Sequence, residues 1–368
     1  MYNEVEGLNA TRESATLAGQ WLTQMATAAG KIGATVQYCM SLGRLVTMAA
    51  ELPSLTQFRA GDDYGPGQPA GCSYPYCVYY IGTTSLLGWA LALAPSKDIF
   101  WSTEFQPGSP FGHGNATEPY SAMEAAVAVF STAPVMLADG VGFTNVTLAL
   151  ATCTSGGRLL QPSRPASATD AAFAAAALGA GSGGPQAAKQ NNLPVMSSFT
   201  AVAQPVARQW AHVLVIGLAG ASAVVPADLP LDLAPAADEL GFIAYDGWRE
   251  RGGGAFSNVR PFSAAAPIAL AAAPDAHDWS LTHVAPVMAN GWALLGEAAK
   301  LCPVAVARVD SVDVPPAGGL RVHVTGEPGE RVELSFADPG LAVLTSACVL
   351  PASGQAYILR DGSGGSCA

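Results

Sequence analysis

Arg59, Asp62 and Asp63 stand together in Arg59-Ala-Gly-Asp-Asp-Tyr64, directly before the Gly/Pro stretch Gly65-Pro-Gly-Gln-Pro69. An apolar run, Leu55-Thr-Gln-Phe58, leads into them. A strand ending this way delivers a cation and two adjacent carboxylates to an edge where regular backbone stops, which is where α/β folds keep their chemistry. Neighbouring carboxylates raise each other's affinity for a proton, the property a general acid needs near neutral pH. An Asp-Asp pair before Gly and Pro also suits a turn or a helix cap, so the spacing alone leaves both readings open.

Other chemistries find less support in the residues. His113, His212, His277, His283 and His323 are scattered, and none pairs with Cys or His at ligand spacing, so no metal and no cofactor are expected. No Gly-x-Ser-x-Gly marks a serine hydrolase, and the glycine-rich run 179–184 lacks the Lys-Ser/Thr of a phosphate loop. Trp89, Trp210, Trp248 and Trp292 are expected to be core rather than binding platforms.

Composition narrows the partners. The chain has 368 residues, 50% of them hydrophobic, which is ample for a large core. Only 12% are charged and the net charge is -11, a thin acidic surface that repels phosphate backbones, so nucleic acid is not an expected partner. No apolar run is long enough to cross a bilayer, and the polar start Met1-Tyr-Asn-Glu reads as no signal peptide. The sequons at Asn9, Asn115 and Asn145, with a disulfide candidate between Cys72 and Cys77, point instead to a secreted, lumenal or vacuolar protein whose beginning lies elsewhere.

The elements that must hold the Arg-Asp-Asp group follow from periodicity. Helices are expected over 15–30, 42–52, 85–93, 120–130 and 145–152, and strands over 34–40, 55–59, 98–105 and 134–137. The strand over 98–105 carries Glu104, and the one over 134–137 runs on to Asp139. Strands alternating with helices imply an α/β layer with a parallel sheet, four units of it, over 1–163. Residues 164–192 are rich in Ala, Gly and Ser and read as a linker or insertion. From 193 to 368 short β-prone runs are punctuated by Pro and Gly, with polar and apolar positions alternating most clearly at 320–324 and 331–336, and predict an antiparallel β-sandwich.

Four blocks carry a family resemblance: Arg59-Ala-Gly-Asp-Asp-Tyr64, Phe100-Trp-Ser-Thr-Glu-Phe-Gln-Pro107, the segment 130–139 ending in Asp139, and Arg164-Pro-Ala-Ser-Ala-Thr-Asp-Ala-Ala-Phe173. In order and content they resemble the α-galactosidase and raffinose synthase clan of glycoside hydrolases, nearest to the family 36 branch. That resemblance implies the C-terminal half of a (β/α)8 barrel of TIM type followed by a β-sandwich, with a carbohydrate, an α-galactoside, as the partner. It makes Asp63 the general acid/base, four positions beyond Arg59 as in the clan. Arg59, Asp62, Trp101, Glu104 and Asp139 would bind substrate. The clan cleaves with retention, which needs two carboxyl groups about 5 Å apart, one attacking and one protonating the leaving oxygen. Its nucleophile belongs to a strand that would precede Met1, so the chain reads either as part of an enzyme or as a non-catalytic carbohydrate-binding or structural remnant of that fold.

Overall fold

The computed structural model describes residues 13–14, 16–39, 43–61, 63–67, 81–109, 115–178, 194–218, 220–230, 239–249, 254–272 and 278–368. Asp62, Cys72, Cys77, Asn9, His113 and His277 lie outside them.

The N-terminal part opens with helix α1 (Leu17–Lys31), strand β1 (Val36–Tyr38), helix α2 (Gly43–Met48) with a 3-10 turn (Ala49–Glu51), and strand β2 (Leu55–Arg59). Helix α3 (Ile81–Ala90) and strand β3 (Ala94–Ser96) follow. The three strands form a parallel sheet in the order β1-β2-β3, with Tyr38 opposite Phe58 and Arg59 opposite Ser96. Helix α4 (Ser121–Phe130) is buried along its whole length, and α5 (Val146–Leu150) starts at Asn145, whose side-chain oxygen caps Leu148 N–H.

The half (β/α)8 barrel expected for 1–163 is not what the chain forms. Among the described residues the helices are six and short, the parallel strands are 3, 5 and 3 residues long, and the other strands all lie in antiparallel sheets. The expected strand over 98–105 is not a ladder. Phe100 makes one parallel bridge to Leu137, Phe105 one antiparallel bridge to Thr117, and the side chains between them are committed to loop hydrogen bonds. The segment 134–137 contributes only that single bridge at Leu137.

The stretch expected as a linker, 164–192, begins as packed structure. Strand β4 (Ser167–Ala168) is buried and joins the edge of a six-stranded antiparallel sheet, and helix α6 (Asp170–Leu178) follows it. That sheet runs β4-β5-β6-β11-β8-β9, made from β5 (Val195–Val202), β6 (Arg208–Val215), β8 (Glu239–Asp246), β9 (Ser257–Phe262) and β11 (Ser280–Met288). The short strands β7 (Ser222–Val224) and β10 (Ile268–Leu270) pair beside it. Next come β12 (Ala293–Gly296), β13 (Val309–Asp313), β14 (Leu320–Thr325), β15 (Arg331–Ala337), β16 (Val343–Val349), β17 (Gln355–Asp361) and β18 (Gly364–Cys367). They build one sheet in the order β12-β15-β16 and another in the order β13-β14-β17-β18. A disulfide between Cys348 on β16 and Cys367 on β18 joins the two sheets.

Alternation explains the last sheets: Leu320, Val322 and Val324 on β14 and Val332 and Leu334 on β15 are fully buried, and they meet Phe336 and Ile358 in one core. A second core joins the helical and antiparallel parts. Phe100, Met123 and Phe130 share it with Met196, Leu214, Trp279 and Leu301, so the parallel sheet rests on the six-stranded one without a separate interior.

Candidate functional site

Strand β2 ends at Arg59, and everything expected of the site depends on where that guanidinium goes. It is buried, 7% exposed, and one amino group donates to Asp63 Oδ1 at 2.5 Å. The other lies 3.2 Å from Asp98 Oδ2. Burial alone lowers the affinity of Arg59 for its proton, but Asp98 and Asp63 outweigh it and raise the pKa, so Arg59 is a fixed cation. Asp63 itself is mostly in solvent, 61% exposed at the side chain. The structure therefore joins Arg59 to Asp63 and presents the carboxylate outward.

Asp98 ties this pair to the next segment, since its Oδ2 also accepts Tyr64 N–H at 2.8 Å. Tyr64 turns inward, 5% exposed, and its hydroxyl donates to Glu118 Oε2 at 2.7 Å while accepting Trp101 N–H at 3.2 Å. Glu118 is 1% exposed and collects two further donors, Gly67 N–H on Oε2 at 3.3 Å and Tyr120 N–H on Oε1 at 2.8 Å. Gly67 is required there: its φ is +74°, and a Cβ would come within 2.8 Å of the Thr117 carbonyl oxygen. Burial first, and Glu124 second, push the Glu118 carboxyl up to about 7 despite its three donors. Glu124 is fully buried on α4 and forms an ion pair with Lys97, which stands over the Tyr64 and Phe100 rings. Lys97 also donates to the Asp98 and Ile99 carbonyls.

The remaining expected residues are placed differently. Trp101 is 3% exposed and packs edge-on against Tyr64 with ring centroids 6.4 Å apart, so its face is given to the core and not to a sugar. Asp139 organises a loop: Oδ1 accepts Ser102 N–H at 2.8 Å and Gln106 Nε2–H at 2.9 Å, and Oδ2 accepts the Ser102 hydroxyl at 2.6 Å. Glu104 is exposed, and its carbonyl accepts Glu118 N–H at 2.7 Å. Asn115 and Asn145 are both exposed.

Tyr64, Asp98, Lys97, Glu118 and Glu124 were not assigned a role from the sequence. Tyr64 stands inside the quoted Arg-Asp-Asp block, and Glu118 directly follows the Asn115-Ala-Thr sequon, so neither is distant from a feature already noticed. Nothing in their spacing shows that residues 51 and 54 positions apart meet in the interior.

Among the described residues no helix is long and apolar enough to cross a membrane, and no group of three or more His, Cys, Asp or Glu is arranged to hold a metal ion. No family model matches the chain, and no curated protein matches it.

Proposed function

We propose that this chain recognises α-galactosides at the end of the parallel sheet and that Asp63 moves the proton when the glycosidic bond is cleaved. The observation that supports this most is the exposed Asp63 carboxylate held on the buried Arg59 cation at the last residue of β2. A carboxylate that exchanges a proton with substrate must reach it from a fixed position, and an ion pair with one buried partner gives both reach and direction. The motif order from Arg59 to Phe173, which resembles the α-galactosidase and raffinose synthase clan, supplies the substrate class.

A second reading, binding without cleavage, is favoured by the neighbouring carboxylates. Asp139 has its oxygens taken by three donors, and Asp98 is engaged by Arg59 and by Tyr64 N–H. Neither is poised to attack an anomeric carbon.

Titration calorimetry with methyl α-galactoside and turnover of melibiose, on the full chain and on Asp63→Asn, separate the two. The expected result is sugar binding by both proteins and loss of melibiose cleavage by about 10²–10⁴-fold in the variant. Binding with no turnover in either protein selects the second reading. No binding by the natural chain, or equal turnover by both proteins, overturns the proposal for Asp63.

A further inference from the structure

Asp63 reaches solvent from a loop, and a loop holds a catalytic geometry only if something fixes it on both sides. On one side Arg59 at the end of β2 does so. On the other side the chain passes through Tyr64 to Gly67, and both of these residues are fastened to one atom, Glu118 Oε2. Glu118 Oε1 meanwhile accepts the N–H of Tyr120, the residue before α4. The carboxyl group thus spans from the Asp63 loop to the entrance of a fully buried helix.

We propose that Glu118 is the positioning residue of this site: by receiving the Tyr64 hydroxyl and Gly67 N–H it fixes the loop that sets Asp63 on Arg59. The inference rests on the sugar-binding reading for its consequence, and on geometry alone for the hold itself. Two of the donors to Glu118 belong to the loop after β2 and the third to the residue before α4, so shortening or removing the side chain releases that loop without touching Asp63.

The hold is pH-sensitive, with a definite sign. The titratable groups facing Glu118 are Tyr64 from the loop after β2 and Glu124 from α4, with Lys97 from the end of β3 paired to Glu124. Tyr64 has its own proton held well above the ordinary value, by burial and then by Glu118, so it stays a donor throughout. The closed loop keeps Glu118 dry and beside Glu124, and therefore binds a proton more tightly than an opened loop in which Glu118 meets water. By linkage, the closed form is favoured at lower pH and loses that advantage as pH rises from the ordinary glutamate value of about 4.5 through about 7.

The test compares the natural chain with Glu118→Gln, which stays neutral at every pH, and Glu118→Leu, which accepts nothing. Methyl α-galactoside affinity of the natural chain is expected to fall between pH 5 and pH 8, Glu118→Gln to show the same affinity at both, and Glu118→Leu to bind at least tenfold more weakly throughout. Tryptophan fluorescence gives a second readout that needs no sugar. Trp101 lies against Tyr64, so the natural chain should show a fluorescence transition near neutral pH that Glu118→Gln and Trp101→Phe both lack. If no protein binds sugar but that transition behaves as described, the sugar reading fails and the hold stands. A transition that persists in Glu118→Gln, or Glu118→Leu binding as tightly as the natural chain, overturns the role of Glu118.

Discussion

The least expected chemistry at the residue scale is a pair of histidines in the core. His212 on β6 and His283 on β11 are 1% and 0% exposed, and their Nδ1 atoms stand 2.8 Å apart. One ring must carry the proton of that contact and the other must be bare. His212 Nε2 faces the Thr200 hydroxyl at 3.1 Å and Cys302 Sγ at 3.9 Å, whereas His283 Nε2 is buried without a hydrogen-bond partner among the described residues, close against Gly247. Burial pushes His212 down to about 3, and burial with the neighbouring His212 pushes His283 down as well. The folded chain therefore binds fewer histidine protons than the unfolded one below about 6.5, so this stability is full above 6.5 and lost as pH falls. Between 6.5 and 5 the loss for one such group is about 2 kcal/mol. Glu118 works in the opposite direction over the same range, so the histidine effect is cleanest in Glu118→Gln. Urea midpoints of that variant should fall steadily from pH 7 to pH 5, and adding His283→Phe, an apolar ring beside Tyr245 and Phe256, should flatten the fall. An unchanged slope in the double variant would mean that the acid sensitivity lies elsewhere.

At the scale of elements, β2 is held in place from behind by α3. An ideal Cβ on Gly88 would lie 2.2 Å from Cε1 and 2.8 Å from Cζ of Phe58, a ring that is 3% exposed and has no room to withdraw. Gly88→Ala is predicted to destabilise the chain by about 1–3 kcal/mol through overpacking. Because Phe58 precedes Arg59, the same change should weaken methyl α-galactoside binding, checked by thermal denaturation and calorimetry on one preparation. Equal stability would show that α3 can shift freely. The strand itself was legible: 55–59 was expected from its apolar run and Leu55–Arg59 is observed. Helix α1 was legible in extent but less so in facing. The range 15–30 does not say which residues face inward: Leu22 and Ala26 are buried and Trp21 is 46% exposed, because two large residues in succession cannot both face inward. The barrel was misread because alternating apolar stretches were counted as strands: 98–105 and 134–137 bury apolar residues such as Phe100 and Trp101, but their polar residues bond to loops and not to a ladder. For the site, Arg59 and Asp63 were singled out in the sequence as neighbours at the end of an apolar run, whereas Glu118 and Tyr64 meet only through the tertiary fold.

For the whole molecule, the question is what couples the helical part to the antiparallel sheets. Beyond the shared core, the connection is polar and centred on Arg308, which has no exposed surface. Its guanidinium donates to Glu297 Oε2 at 2.8 Å, to Glu330 Oε1 at 2.5 Å and Oε2 at 3.1 Å, and to the Thr325 carbonyl at 2.9 Å. Glu330 Oε1 then accepts Ser155 N–H, and Lys300 donates to the carbonyls of Leu150, the last residue of α5, and of Cys153 beyond it. Removing the cation alone leaves two carboxylates, 4% and 9% exposed, without their ion-pair partner, and breaking a buried pair this way typically costs about 3–5 kcal/mol. Arg308→Met should therefore lower the melting temperature sharply. Replacing Glu297 and Glu330 with apolar residues as well should recover part of that loss, but not all, because Ser155 N–H and Glu327 N–H then lose their acceptor. Calorimetry decides whether the connection is cooperative. With one core running from α1 to the six-stranded sheet, the natural chain should unfold in a single transition, and Arg308→Met should shift that transition without splitting it. Two resolved transitions in the natural chain would show that the parallel sheet folds on its own and that the Arg308 cluster only docks it.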